Sequence, residues 1–293
     1  MPLWEDISEV FQASGAIPPR NWDVFLRWLR AIQSEAMDSQ RIVNPVALAV
    51  DTNVAYLHLF SRYLGLDHEE ARGFTVLVSQ GVRAEIDHHI GAKASRQYLR
   101  ELYRVPSLAP YIEELGNRNA LETRRAKLAQ NELDYLTVHR RALRVPCGPF
   151  TGNKESFDIE IARSYAAFAQ QNRLSGYLLT YDQNMADHAK NVGLPCFVLE
   201  MPDLSAFVGA SMEGAFASVL HDLAVLFGVV LIEPFEIRVW GEWKGKTSAD
   251  YESERVRVDI DSRHSIAELF ARDTALGYSL LEMASRFRSG SGS

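Results

Sequence analysis

The chain of 293 residues has only two cysteines, Cys147 and Cys196. That is too few for a disulfide framework or a Cys-rich zinc site, and a reducing compartment suits it. Long hydrophobic runs are also missing. The longest, LAVLFGVVLI at Leu223 to Ile232, is far below the about 20 apolar residues of a membrane helix. The opening MPLWEDISEV lacks the basic start and apolar core of a secretory leader, so a cytoplasmic location is expected. Glycine (18) and proline (11) are too sparse for a collagen-like or low-complexity chain. No GxGxxG turn follows the first apolar strand pattern, where DTNVAYLH stands instead, which argues against a dinucleotide-binding sheet. A net charge of −7 excludes a protein that coats nucleic acid through bulk positive potential. What is present is ordinary for a folded protein: 47% hydrophobic and 24% charged residues, over a length of about two average domains.

Residues 20–36 place Trp22, Phe25, Leu26, Leu29 and Ile32 at helical spacing, after Pro18-Pro19 and with Asn21 as a cap. Next, Ala47 to Val50 is a short apolar run ending at Asp51 and feeding a helical pattern. The same grammar recurs at Phe74 to Val78, where Ser79 caps a helix carrying Glu85, and at Tyr177 to Thr180, where Asp182 precedes the helix QNMADHAKNVG. A further strand is predicted at Pro195 to Leu199, and a helix at Ser156 to Gln170 with Asp158 in its first turn. Strands alternating with helices predict an α/β fold whose parallel sheet is covered on both faces. Residues 91–150 carry no strand signal and read as a helical insertion. From Leu204 the grammar changes to helix, hairpin, strand and final helix, predicting an α+β domain. The resulting division is a helical extension (1–46), an α/β core (47–202, insertion 91–150), a smaller accessory domain (203–288) and a flexible tail (289–293).

Charge is segregated. Residues 91–145 hold eleven Lys or Arg against six acids, a local +5, and the rest of the chain carries −12. Such a block is either a solvated helical face or a grip on phosphate.

Four acids occupy equivalent places in the grammar: Asp51 after the first strand, Glu85 about two turns into the helix after the second strand, Asp158 in the first turn of a helix and Asp182 after the Tyr177 strand. In an open parallel sheet ligands bind beyond the carboxyl ends of the strands, where these positions converge. Carboxylates so gathered repel one another and resist ionising together. A hard divalent cation such as Mg²⁺ or Mn²⁺ removes that problem through oxygen ligation.

The segments ALAVDTN (Asp51, Asn53), VSQGVRAEID (Glu85), SFDIEIARSYA (Asp158) and LLTYDQNMADHAKNVGLP (Thr180, Asp182), in this order over about residues 47–200, resemble those of the PIN domains, metal-dependent nucleases of α/β fold. The resemblance implies a three-layer PIN-like core in which Asp51, Glu85, Asp158 and Asp182 bind one or two Mg²⁺ or Mn²⁺ ions, with Asn53 and Thr180 assisting. It implies endonucleolytic hydrolysis of phosphodiester bonds, usually in single-stranded RNA, leaving 5′-phosphate and 3′-hydroxyl ends. The alternative within the same fold is a scaffold that binds RNA or protein without cleaving. The Glu85 to Asp158 interval is longer than in compact PIN toxins, and the segments before 47 and after 203 lie outside the resemblance. Asp158 has close rivals in Glu155 and Glu160.

An acid-lined nuclease site needs cations nearby to hold phosphate, and Arg96, Arg100, Arg124, Arg125, Arg140 and Arg141 are the candidates for RNA contact. Trp240, Trp243 and Tyr251 either stack on bases or pack internally. Asp51 and Asp182 also suit helix caps, a role compatible with ligation. His88 and His89 suit a helix C-terminus rather than a metal. Homo-oligomerisation through 203–288 and a protein inhibitor or antitoxin are the expected partners besides RNA.

Overall fold

A computed structural model describes residues 4–37, 44–65, 68, 73–91, 93–95, 100, 104, 109–115, 119–149, 154–202, 215–261, 267–276 and 279. The elements run α1 (Trp4–Ala13), α2 (Trp22–Met37), β1 (Val46–Val50), α3 (Thr52–Tyr56), a π-helical turn (Leu59–Tyr63), β2 (Thr75–Ser79), α4 (Gln80–His89), α5 (Ala109–Glu114), α6 (Leu121–Val138), β3 (Leu143–Val145), α7 (Lys154–Gln171), β4 (Ser175–Thr180), α8 (Gln183–Asn191) and β5 (Cys196–Val198). Then follow α9 (Ala215–Phe227), β6 (Val229–Ile232), β7 (Ile237–Trp240), α10 (Ser248–Glu252) and β8 (Arg257–Asp259), with a helical stretch at 267–276.

The first five strands form one parallel sheet in the order β3-β2-β1-β4-β5, flanked by helices. β1 reads VALAV and is buried at every position, as a central strand covered on both faces must be. It pairs with β2 from Ala47↔Thr75 to Val50↔Val78 and with β4 from Val46↔Ser175 to Val50↔Leu179. The chain builds outward from β1 through β2 and β3, then returns to add β4 and β5 on the other side. That reversal makes the carboxyl ends of β1 and β4 a topological switch point, the place where open sheets of this kind take ligands.

Two features of this core differ from the sequence reading. Within 91–150, predicted to hold no strand, residues Leu143–Val145 pair with β2 as its outer neighbour. Only Val145 of the three is buried, so a three-residue edge strand leaves no alternation to detect. Helix α7 begins at Lys154, which puts Asp158 in its second turn rather than its first.

At the opposite edge, Asn21 has a use other than capping α2. Its side-chain amide donates to the Val198 carbonyl at 2.9 Å, and its Oδ1 accepts the Glu200 N–H at 3.0 Å. The Arg20 N–H donates to the Glu200 carbonyl at 3.0 Å. One side chain and one backbone group thereby engage the Val198 carbonyl at the outer edge of β5 and both backbone groups of Glu200.

β6, β7 and β8 form an antiparallel sheet in that order. Gly241, just past β7, lies on α9 so closely that a Cβ there would fall 2.1 Å from the Ala224 carbonyl carbon. Val225 and Leu226 of α9 and Tyr251 of α10 share one hydrophobic cluster with Val10 of α1 and Leu128 of α6. The C-terminal elements thus bury their apolar side against the first helix and the inserted helix. Trp240 and Tyr251 are each only 4% exposed, so both pack internally and neither presents a face to a base. No described helix is long and apolar enough to cross a membrane.

Candidate active site

Asp51 leaves the end of β1 and starts α3. The Thr52 N–H donates to its Oδ1 at 2.7 Å, and the Thr180 hydroxyl, from the end of β4, donates to its Oδ2 at 2.6 Å. Both oxygens are held, and the residue is 4% exposed. Burial pushes its carboxyl up to about 7; the hydrogen bonds from Thr180 and Thr52 oppose this, and the charges of Glu85 and Asp158 add to it. Desolvation outweighs two good hydrogen bonds because a carboxylate loses more solvation than two donors restore. Of the four acids expected to converge, the fold therefore brings Asp51, Glu85 and Asp158 within electrostatic reach of one another.

Glu85 is positioned by Thr52, whose hydroxyl donates to its Oε2 at 2.6 Å. Ser79 caps α4 by accepting the Gly81 N–H at 3.1 Å, which fixes the helix that carries Glu85. Asp182 joins through the backbone: its N–H donates to Thr180 Oγ1 at 2.9 Å, and its Oδ1 caps α8 by accepting the Asn184 N–H at 2.8 Å. Asn53 ties the two strand exits together. Its Oδ1 accepts the Tyr181 N–H at 3.0 Å, and its amide points to Thr180 Oγ1 at 3.4 Å.

Two residues that the sequence reading passed over complete the frame. Thr52 is hidden behind the more obvious Asp51 and Asn53. Tyr165 looks like one more apolar position on α7, seven residues after Asp158. Its buried hydroxyl donates to the Val50 carbonyl at 2.6 Å and accepts the Ser79 N–H at 2.8 Å. It thus pins β1 and β2 to each other immediately before Asp51 and the α4 cap. An aromatic with a polar tip in a helical stripe was the available signal.

The basic residues expected to contact RNA fall into two groups. Arg124 donates to the Val225 carbonyl at 3.3 Å, Arg125 is ion-paired with Glu9, and Arg140 reaches the carbonyls of Leu64 and Gly65. These three hold α9, α1 and the end of the π-helical turn. Arg100 and Arg141 are exposed, and Arg96 lies outside the described residues.

The donor set suits a hard divalent cation, since every candidate ligand is a carboxylate oxygen. Among the described residues, however, no three His, Cys, Asp or Glu side chains lie close enough together to hold an ion as they stand.

No family profile matches the chain, and no curated protein matches it. Among solved structures, a domain of a functionally unknown protein from Methanocaldococcus jannaschii is similar at 13% sequence identity and a TM-score of 0.36, over 56% of this chain and 98% of that domain.

Proposed function

We propose that the chain is a PIN-like, Mg²⁺- or Mn²⁺-dependent endoribonuclease that hydrolyses single-stranded RNA at Asp51, Glu85, Asp158 and Asp182. One observation carries the reading: a carboxylate at the switch point of a parallel sheet is pushed up to about 7 by burial, and two further carboxylates crowd it and add to the shift. Such crowding is costly without a counter-ion and purposeful with one.

Asp51, Glu85, Asp158 and Asp182 would hold the ion. When bound it would supply an ionised water for attack on phosphorus and positive charge for the leaving oxygen. The remaining work belongs to the chain. Thr180 and the Thr52 amide fix the Asp51 carboxylate in one orientation and favour its charged form. Thr52 also orients Glu85, so one residue sets two acids.

The test is cleavage of end-labelled single-stranded RNA and DNA with Mg²⁺, Mn²⁺ or EDTA, wild type against Asp51→Asn. Metal-dependent cutting that the variant loses is the expected result; cutting that survives the substitution overturns the assignment. That no three such side chains among the described residues lie close enough to hold an ion as they stand favours the second reading, a non-cleaving scaffold. Calorimetry separates the two, because a scaffold has no need to take up the ion.

A further inference from the structure

Asp222 of α9 is fully buried, and only one of its carboxylate oxygens is engaged. Oδ1 lies 2.8 Å from His221 Nδ1, while Oδ2 is buried without a hydrogen-bond partner among the described residues. His58, just before the π-helical turn, is in the same situation. It is 4% exposed, and its Nε2 is buried with no partner among the described residues. A carboxylate oxygen and a ring nitrogen taken out of water and left unpaired each carry a desolvation cost that nothing offsets, and folded interiors seldom leave such atoms unserved.

Both residues line one cavity of about 20 Å³, set between α1, α3, α6 and α9. A single water needs about 10–15 Å³ and two to four polar partners; the space is too small for an organic ligand. The other charged walls, Glu9 and Arg125, are ion-paired with each other, which leaves Asp222 and His58 as the groups in want of a partner. A metal ion fits less well, since among the described residues no three His, Cys, Asp or Glu side chains lie close enough to hold one.

His58 is firmly placed. Its backbone is left-handed, with φ 50°, a conformation uncommon for a residue with a Cβ and kept only where the surroundings enforce it. Its N–H donates to the Ala55 carbonyl at 3.2 Å, and its carbonyl accepts the Arg62 N–H at 3.0 Å. The buried Glu132 carboxylate fixes the next residues by accepting the Phe60 N–H at 2.8 Å and the Ser61 N–H at 3.2 Å. His58 also lines a groove of about 710 Å³, yet Nε2 is shut off from solvent, so this nitrogen turns inward.

We infer that the cavity is a binding site for one water molecule, which donates to Asp222 Oδ2, bonds His58 Nε2 and thereby ties α9 to the α/β core. Water suits the pair because it accepts from a protonated Nε2 or donates its second hydrogen to a bare one, whichever tautomer the ring takes. The apolar contact of Val225 and Leu226 with Val10 and Leu128 already seats α9. Such packing is non-directional; a hydrogen-bonded bridge adds the register that packing alone lacks.

The experiment pairs a crystal structure of the full chain with thermal melting of wild type, His58→Leu, Asp222→Leu and the double variant. One ordered water within hydrogen-bond distance of both atoms is expected. Each single substitution strands the opposite partner and should lower the melting temperature by roughly 3–6 °C. The double variant, with both polar atoms gone, should lose less than the sum, and the cycle cancels what Asp222 contributes through His221. Amide exchange along α9 should also quicken in His58→Leu, although that residue belongs to the core. A dry cavity, a direct bond between Asp222 and His58, or additive losses with unchanged exchange along α9 overturns the inference. Should Asp222→Leu fail to fold, the wild-type crystal structure and the exchange of His58→Leu still decide it.

Discussion

Thr180 donates its hydroxyl to Asp51 Oδ2 across 2.6 Å, joining the ends of two adjacent parallel strands. The bond both orients the carboxylate and lowers its proton affinity. Thr180→Val keeps the shape and removes the donor. Cleavage should fall at least tenfold at pH 7, and the pH at which activity appears should move upward, because the carboxyl then ionises with more difficulty. A pH–rate profile of the variant that superimposes on wild type would show that the hydroxyl has no such role.

Stability should fall with rising pH in the absence of metal. The Asp51 carboxyl is pushed up from 3.8 to about 7 by burial, so the folded chain holds this proton more tightly than the unfolded chain. Its contribution is complete below pH ~4 and is lost as pH rises through about 7. Melting temperature in EDTA is therefore expected to decline from pH 5 to pH 8. Asp51→Asn should flatten the decline, and Mg²⁺ or Mn²⁺ should offset it in the wild type. Parallel curves for wild type and variant would remove Asp51 as the cause.

Tyr165→Phe removes one hydroxyl but leaves the Val50 carbonyl and the Ser79 N–H without their shared partner. Stranding buried polar groups costs about 1–3 kcal/mol. The loss falls directly beneath Asp51 and the α4 cap, so metal affinity should drop along with stability. Chemical denaturation and calorimetry measure the two separately; a stable variant with unaltered metal binding would reduce Tyr165 to packing.

Arg124→Ala and Arg125→Ala should behave as folding variants. Their side chains hold the Val225 carbonyl and Glu9, so each substitution is expected to lower the melting temperature by a few degrees, leaving the salt dependence of RNA binding unchanged. A reduced salt slope in either would return these residues to the nucleic-acid surface.

Self-association through the C-terminal region is the remaining expectation. Leu231, Leu269, Phe270 and Leu276 are exposed there, and light scattering at micromolar concentration should show an oligomer. A strict monomer would rule it out.

Much of the sheet was legible in the sequence, because β1, β2, β4 and β5 are apolar runs that stop at polar residues with a structural duty, such as Asp51, Ser79 and Asp182. β3 was not legible, since a strand with one buried residue has no period to read. Asp51, Glu85 and Asp158 could be placed together because strand ends converge in any open parallel sheet. Thr52 and Tyr165 escaped notice because their roles depend on partners 33 and 86 residues away. The partners of the arginines were illegible for the same reason: a basic run shows charge, but only the fold shows that Arg124, Arg125 and Arg140 bond the Val225 carbonyl, Glu9 and the Leu64 and Gly65 carbonyls.

The clasp of Asn21 on Val198 and Glu200 has a consequence for how copies of this chain can meet. An unpaired parallel edge is a template on which a second chain can add its own strand. Here two acceptors, the Val198 and Glu200 carbonyls, and one donor, the Glu200 N–H, are already taken from within. The clasp thus obstructs strand addition at the Val198 end of β5, and Asn21→Ala should make the protein more prone to aggregate than its modest loss of stability alone would explain.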